Sequence, residues 1–488
     1  MRYVHPKSPL HKLAFLSAIA AALAVQTPAF SQTMPEAVTL ALRTNPALEA
    51  QRAALSALGQ RRVQAAAQRR VQISGETTIG YAGSWSRGRG LAGAVGNSAY
   101  GDLTPASIGV SAAQPIWLAG RVEAAMSQAE AQIAQADARL SSSEIGVMRD
   151  VVIAYADLRR DLDGVSIRRQ NNSALVRQLE AAQVRFDVGD ITKTDVAQVE
   201  ARFAGSKTAL ASAEARVEAS LSSIERLIGQ MPSDVRPSFS IAQAPASLEQ
   251  AQVLARAGNP DIVAARLGEA IAKAGARVIE AENRPRATLQ ANVGGALDQG
   301  FDGNRGGNLG VTARLSVPLF TGGIASSRVS EALGNANAAR LSAVDVERQV
   351  VERTSNAWRQ TQVARQAVAS TTQQVAAARI AYEGAELEQS VGLRTTLDVL
   401  IQQQELLEAE LARAGADRDL QVASVALVAL TGMLSPESFM TTRPALPATI
   451  IPKPFFPEEP MIIVQKALDT RIPMSSRTGS TAIGVAAN

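Results

Sequence analysis

Val188-Gly189-Asp190-Ile191-Thr192-Lys193-Thr194-Asp195-Val196 and Val391-Gly392-Leu393-Arg394-Thr395-Thr396-Leu397-Asp398-Val399 are two versions of one tight turn. In each, a glycine follows a valine and ends a helix by adopting a positive φ angle, which costs a residue without Cβ nothing. A Thr-x-x-Asp pattern then opens the next helix, Thr192 with Asp195 and Thr395 with Asp398, as side-chain caps for free backbone donors. The turns lie 203 residues apart, and the same interval separates Pro115 from Pro318 and Gly229 from Gly432. Asn45-Pro46 returns as Asn259-Pro260 at the head of each copy. The chain is therefore read as an internal duplication, with 32–234 as the first repeat, 235–246 as a proline-rich linker and 247–435 as the second.

Outward from each turn, the pattern is helix, hairpin, very long helix, turn, returning helix. Gly120 to Asp187 contains no proline, and Met126, Ala129, Ile133, Ala136 and Leu140 keep a heptad seam. Val151, Tyr155, Leu158 and Leu162 resume it after an eleven-residue step, which relaxes left-handed supercoiling and straightens the helix. Roughly 67 residues at ~1.5 Å each reach about 100 Å, and Gly323 to Ser390 repeats this length. The return Lys193 to Ile228 covers only about half of that path, so a second helix must complete it. Leu248 to Asn283 is expected to stack on this first return and Pro35 to Val71 on the return after Arg394. Four such tracks cannot bury a core of their own and require lateral packing against other chains.

The hairpins alternate with period two. Leu309, Val311, Ala313, Leu315 and Val317 interleave with polar or small residues, as do Leu289, Ala291 and Val293. The stretches Ile73 to Tyr81 and Ile108 to Ile116 repeat this more weakly. Apolar outward and polar inward over about ten residues is the pattern of a transmembrane barrel strand. Four strands per chain cannot close a barrel, and an open edge in lipid leaves backbone groups unpaired, so strands must be pooled between chains. The glycine-rich connections, Gly83 to Gly101 and Gly300 to Gly307, contain no phosphate-loop motif and are read as surface loops.

The N-terminus carries Arg2, Lys7 and Lys12, then an apolar run from Leu13 to Val25 and small residues near Ala29-Phe30-Ser31, the layout of a signal peptide over 1–31. The chain has 49 basic and 45 acidic residues; with those three basic residues removed, the excess is about one, without a block of five like charges, which excludes a nucleic-acid partner. No cysteine is present, which removes disulfides, thiolate metal sites, thiol nucleophiles and a lipidated cysteine. Both histidines, His5 and His11, lie in the signal segment, so the mature chain lacks the commonest general base and metal ligand. Neither an enzyme nor a metal or cofactor site is expected. Residues 436–488, rich in proline, serine and threonine, read as a disordered periplasmic tail.

On the two V-G turns, Val188 to Val196 and Val391 to Val399, placed between very long helices, the chain resembles the TolC family of outer-membrane efflux and secretion channels over all of the mature sequence to about Pro436. The resemblance implies an α+β fold: a homotrimer with a twelve-stranded transmembrane β-barrel, four strands per chain, continued by an α-helical coiled-coil tunnel in the periplasm. It also implies an exit duct for small molecules or for type I protein secretion, which docks to an inner-membrane pump through a periplasmic adaptor. Val188, Gly189, Val391 and Gly392 would then form the adaptor-contact tip. Arg394, Thr194 and Asp195 correspond to positions that hold the closed state, and Asp398 to a ring of carboxylates at the constriction. Departures occur at Ile401, where the family's second constriction aspartate falls, and at Gln389, which replaces a tyrosine. Without the resemblance, both aspartates read equally as helix caps. Trp117 and Phe320 read either as a membrane-interface belt or as packing at the barrel–tunnel joint. A soluble periplasmic coiled-coil scaffold explains the helices but not the alternating strands.

Overall fold

A computed structural model of the chain describes residues 32–87, 98–231, 235–236, 245–297 and 305–434. Residues 1–31, expected to be a signal segment, most of the expected linker and tail, and the tips of both glycine-rich connections lie outside the described residues.

The chain begins with a short strand β1 (Gln32–Thr33) and helices α1 (Met34–Thr44) and α2 (Pro46–Ala67). Strands β2 (Gln72–Ile79), β3 (Ala82–Arg87), β4 (Ser98–Leu103) and β5 (Ala106–Trp117) follow. The long helix α3 (Arg121–Asp187) and its return α4 (Lys193–Ile228) come next. After β6 (Val235–Arg236), which pairs in parallel with β1, come α5 (Leu248–Gly258), α6 (Pro260–Glu282), β7 (Arg286–Leu297) and β8 (Arg305–Ser316). Helices α7 (Ile324–Ser390) and α8 (Thr396–Leu430) end the described chain. Both long helices have 67 residues, as their proline-free stretches predict. Asn45 and Asn259 are the N-caps of α2 and α6, each accepting from the backbone two residues on, with proline at the first helical position, where its missing N–H costs nothing.

Lateral order follows from cross-helix bonds. Helix α2 lies along the first half of α3 through Arg52–Glu144 and Arg62–Glu130, and α4 along its second half through Arg169–Glu214 and Asn172–Ser206. On the other side of α3, α6 bonds the first half (Ser142–Asp261) and α8 the second (Arg418–Asp157, Gln403–Asn171). Helix α7 closes the row against α6 (Arg266–Glu347) and α8 (Arg379–Glu410). The tracks therefore run α2/α4, α3, α6/α8, α7.

This order corrects the expected stacking. The end of α4 meets the α1–α2 junction, where Thr44 Oγ1 donates to Ile228 O at 3.0 Å; the end of α8 meets the α5–α6 junction, where Asn259 Nδ2 donates to Leu430 O at 3.0 Å. Thus α2 extends α4, and α6 extends α8, the reverse of the expectation. The reason is packing: α1 buries Met34, Val38, Ala41 and Leu42 against Val151, Tyr155 and Leu158 of α3 and Ile224 and Ile228 of α4, which holds α2 beside its own copy's return. The heptad seam is modified too. Val151, Tyr155 and Leu158 are buried, whereas Leu162 is exposed and its place is taken by Asp161, whose carboxylate accepts from Ser220 on α4 and from Arg160.

The four long strands form one antiparallel sheet in the order β2-β5-β7-β8, matching the lateral order of the helices that feed them. Strands β3 and β4 pair separately as the outward continuation of the first hairpin.

Candidate functional site

Two places are candidates for function: the helical tips and the sheet. At each tip, the long helix ends in a Schellman motif. Gly189 N–H donates to Phe186 O and Asp190 N–H to Arg185 O, both at 2.9 Å; Gly392 donates to Gln389 at 3.0 Å and Leu393 to Glu388 at 2.8 Å. Gly189 and Gly392 sit at φ 79° and 80°, so the glycine is dictated by backbone conformation. Val188 and Val391 are both exposed, as are Leu387 and Leu393.

The returning helices open with full capping boxes. Thr395 N–H and Oγ1 both donate to Asp398 Oδ2, at 3.0 and 2.7 Å, while Asp398 N–H donates back to Thr395 Oγ1 at 3.3 Å. Thr192 and Asp195 repeat this at 2.9, 2.7 and 3.3 Å. The threonine hydroxyl, then the threonine N–H, hold each carboxyl below the usual aspartate range; Arg394 adds a smaller push on Asp398, and Arg185 on Asp195. Both aspartates are therefore caps within the chain. Arg394 Nε donates to Glu388 Oε2 at 2.5 Å, and Arg185 to Asp190 at 2.6 Å, so each turn carries one ion pair. Gln389 Nε2 donates to Thr396 Oγ1 at 3.1 Å, which ties the end of α7 to the start of α8. Thr194 is exposed, with no side-chain hydrogen bond among the described residues. Ile401, beside the expected acidic ring, is exposed. The two tips sit at the same end: Leu400 of α8 packs with Leu175 and Ala182 of α3 and Val199 of α4.

Sequence reasoning missed Glu388 and Asp190 as partners of the turn arginines. Their signal is positional, because a Schellman turn folds residues just past the glycine back over the last helical turn.

In the sheet, the registers fix every face. Ile73, Ile79, Ile108, Val110, Leu289, Val293, Leu309, Val311 and Leu315 fall on one side; Ser74, Glu76, Ser111, Gln290, Asn292, Asn308, Thr312 and Arg314 fall on the other. The apolar side is open, with Leu309 at 82% and Val311 at 70% exposure. On the polar side, Ser74 and Ser111 hydroxyls bond at 2.9 Å, and Asn292 lies over Gly310. A continuous exposed apolar face of this size needs lipid or protein against it. Strands β7 and β8 have 12 residues each, enough to cross a bilayer at a tilt. Trp117 ends β5 and is half exposed; Phe320, four residues past β8, is 90% exposed. Among the described residues, no helix is long and apolar enough to cross a membrane, and no cluster of three potential metal ligands occurs.

The profile of the outer membrane efflux protein family matches residues 37–230 and 251–433. The outer membrane efflux protein BepC of Brucella suis is 29% identical over 409 residues, 83% of this chain and 87% of its own length. The outer membrane protein TolC of Vibrio cholerae is 26% identical over 330 residues, 66% of this chain and 75% of its own. Among solved structures, the outer membrane protein VceC of Vibrio cholerae shares the fold with a TM-score of 0.65 at 21% identity, covering 82% of this chain and 96% of that one. Two family segments spanning both helical hairpins and a sheet with a bare apolar face agree: the chain belongs to the outer membrane efflux protein family, as a non-enzymatic outer-membrane channel with a helical tunnel in the periplasm.

Proposed function

We propose that the working unit is a homotrimer, in which three four-stranded sheets close into a twelve-stranded barrel and the helical tracks close into one tunnel. The observation that carries this is the sheet, whose apolar face is bare and whose two edge strands, β2 and β8, have no outer partner among the described residues. Open edges in hydrocarbon cost several kcal/mol for each unpaired backbone group, and closure removes them. The chain comprises a cleaved signal 1–31, repeats 32–234 and 247–435 joined by 235–246, and a periplasmic tail 436–488. Trp117 and Phe320 mark the periplasmic edge of the outer membrane.

At the tips, Val188, Gly189, Val391 and Gly392 contact a periplasmic adaptor that couples the duct to an inner-membrane pump. Arg394, Asp398, Thr194 and Asp195 hold the closed gate, with Arg394 exchanging Glu388 for a neighbouring chain's acceptor. The cargo is small molecules, or a protein exported by type I secretion. Support comes from the exposed apolar residues at the turns and from the family itself. Mass measurement of the detergent-solubilised mature protein tests the assembly: three chains are expected, and a stable monomer overturns it.

A further inference from the structure

The two free edges of the sheet carry enough information to set how copies join, given the trimer reading on which this inference rests. The second repeat follows the first by 203 residues from β5 to β8 (Pro115 to Pro318) and by 214 from β2 to β7 (Asn45-Pro46 to Asn259-Pro260). With 203 fixed at Pro115 and Pro318, the two hairpins give the same 214: the pair Ile73–Ala112 in β2–β5 maps onto Ala287–Leu315, which is a pair in β7–β8. The remaining contact, β5 with β7, joins the end of the first repeat to the start of the second. Its counterpart is β8 with the β2 of another copy.

One segment is already shaped for that contact. Gln114 to Trp117 is strand, paired with β7 through an irregularity between Pro115 and Trp117. Its counterpart, Val317 to Phe320, lies past the end of β8 without a strand partner, and Leu319 and Phe320 are 91% and 90% exposed. The same sequence element is paired in one repeat and bare in the other.

We propose that β8 of one copy pairs with β2 of the next in the β5–β7 register, so that Ala313 faces Ile79, Leu315 faces Thr77, Val317 faces Gly75 and Phe320 lies beside Ile73 of the next copy. This register follows from shifting the β5–β7 pairs Val110–Val293, Ala112–Ala291, Gln114–Leu289 and Trp117–Ala287 by the two offsets. It keeps Ala313, Leu315 and Val317 on the apolar side with Ile73 and Ile79, whereas a slip of one residue would invert every face. On the polar side, it sets Glu76 of the next copy opposite Ser316 and diagonal to Arg314. Both charges are exposed, with no ion pair among the described residues. A diagonal cross-strand pair is within reach of such long side chains. The seam therefore carries an ion pair between copies in the barrel wall.

The chain has no cysteine, so engineered thiols report cleanly. Directly opposed antiparallel residues lie at a Cα separation that a disulfide spans, while β2 and β8 of one chain are kept apart by two strands. In the full-length trimer, L315C with T77C, oxidised by copper phenanthroline and dissolved oxygen, should yield a covalent trimer on a non-reducing denaturing gel. The slipped pairs L315C with G75C and L315C with I79C should yield ~10-fold less. A slipped pair linking as well as the predicted one, in protein of trimeric mass, overturns the register but not the trimer. Monomeric mass in mild detergent overturns the trimer reading itself. E76R should lower the temperature at which the trimer dissociates, and E76R with R314E should restore it; no restoration overturns the ion pair.

Discussion

At the level of single residues, Asp398 and Asp195 make an internally controlled experiment. Both cap a helix with the same three hydrogen bonds, but only Asp398 is proposed to line the constriction. Asp398→Asn should weaken block by multivalent cations added from the periplasmic side of a planar bilayer, while Asp195→Asn should leave block unchanged; equal effects would reduce both to caps. Because Ile401 supplies no second acid, block should be modest in the unmutated channel. Arg394→Ala should raise resting conductance, and Arg394→Lys should rescue it poorly, since lysine lacks the planar fork. The pH response has a definite sign. Folding depresses both aspartate pKa values, so capping is fully present above the ordinary aspartate value near ~4 and is lost as pH falls through the lower folded value. Amide protection at the starts of α4 and α8, taken as exchange relative to the intrinsic rate at each pH, should therefore be flat from neutral pH to about 4 and fall below it. Loss of protection already near pH 6 would assign the tips to another group. The capping threonines were legible from T-x-x-D spacing, but the carboxylates holding Arg394 and Arg185 were not, because that contact depends on the three-dimensional fold of the turn.

At the level of elements, helix ends were legible and helix partners were not. The absence of proline, the positive-φ glycines and the Asn-Pro pairs mark α3, α7 and the starts of α2 and α6 in one dimension. Which short helix extends which return is decided by non-local contacts: Thr44 with Ile228, Asn259 with Leu430, and the burial of α1. Both short stretches are rich in alanine and leucine, so composition could not choose between them. The joint between α8 and α5 is tight. A Cβ on Gly432, whose φ is 73°, would sit 2.3 Å from Gly258 O. Gly432→Ala should cost at least ~2 kcal/mol, combining left-handed strain with that clash, and lower the thermal midpoint. By contrast, Gly146 lies inside α3 with nothing within 4 Å of its missing Cβ, and Gly146→Ala should stabilise by about 0.5–1 kcal/mol. If the two substitutions behave alike, the joint does not hold the tracks in line. Leu162 shows the limit of a heptad reading: Asp161 with Ser220 and Arg160 takes the buried place because α4 offers it hydrogen bonds there.

At the level of the whole molecule, one arrangement recurs in two materials: the helical row α2/α4, α3, α6/α8, α7 and the sheet β2-β5-β7-β8 run in the same lateral order. Among the described residues each ends in an element with no partner on its outer side, the row in α7 and the sheet in β8, so a single rotation that pairs one edge also presents the other. The family and its membrane setting were legible because the period-two strands and the duplicated turns are strong one-dimensional signals. Closure was not, since it concerns surfaces that only further copies cover. Reconstitution of the purified mature protein into a planar bilayer reads the duct directly. Trimeric protein should give stepwise single-channel conductance, increased by Arg394→Ala. Protein that is released from membranes by salt alone and inserts no conducting unit would contradict the channel reading.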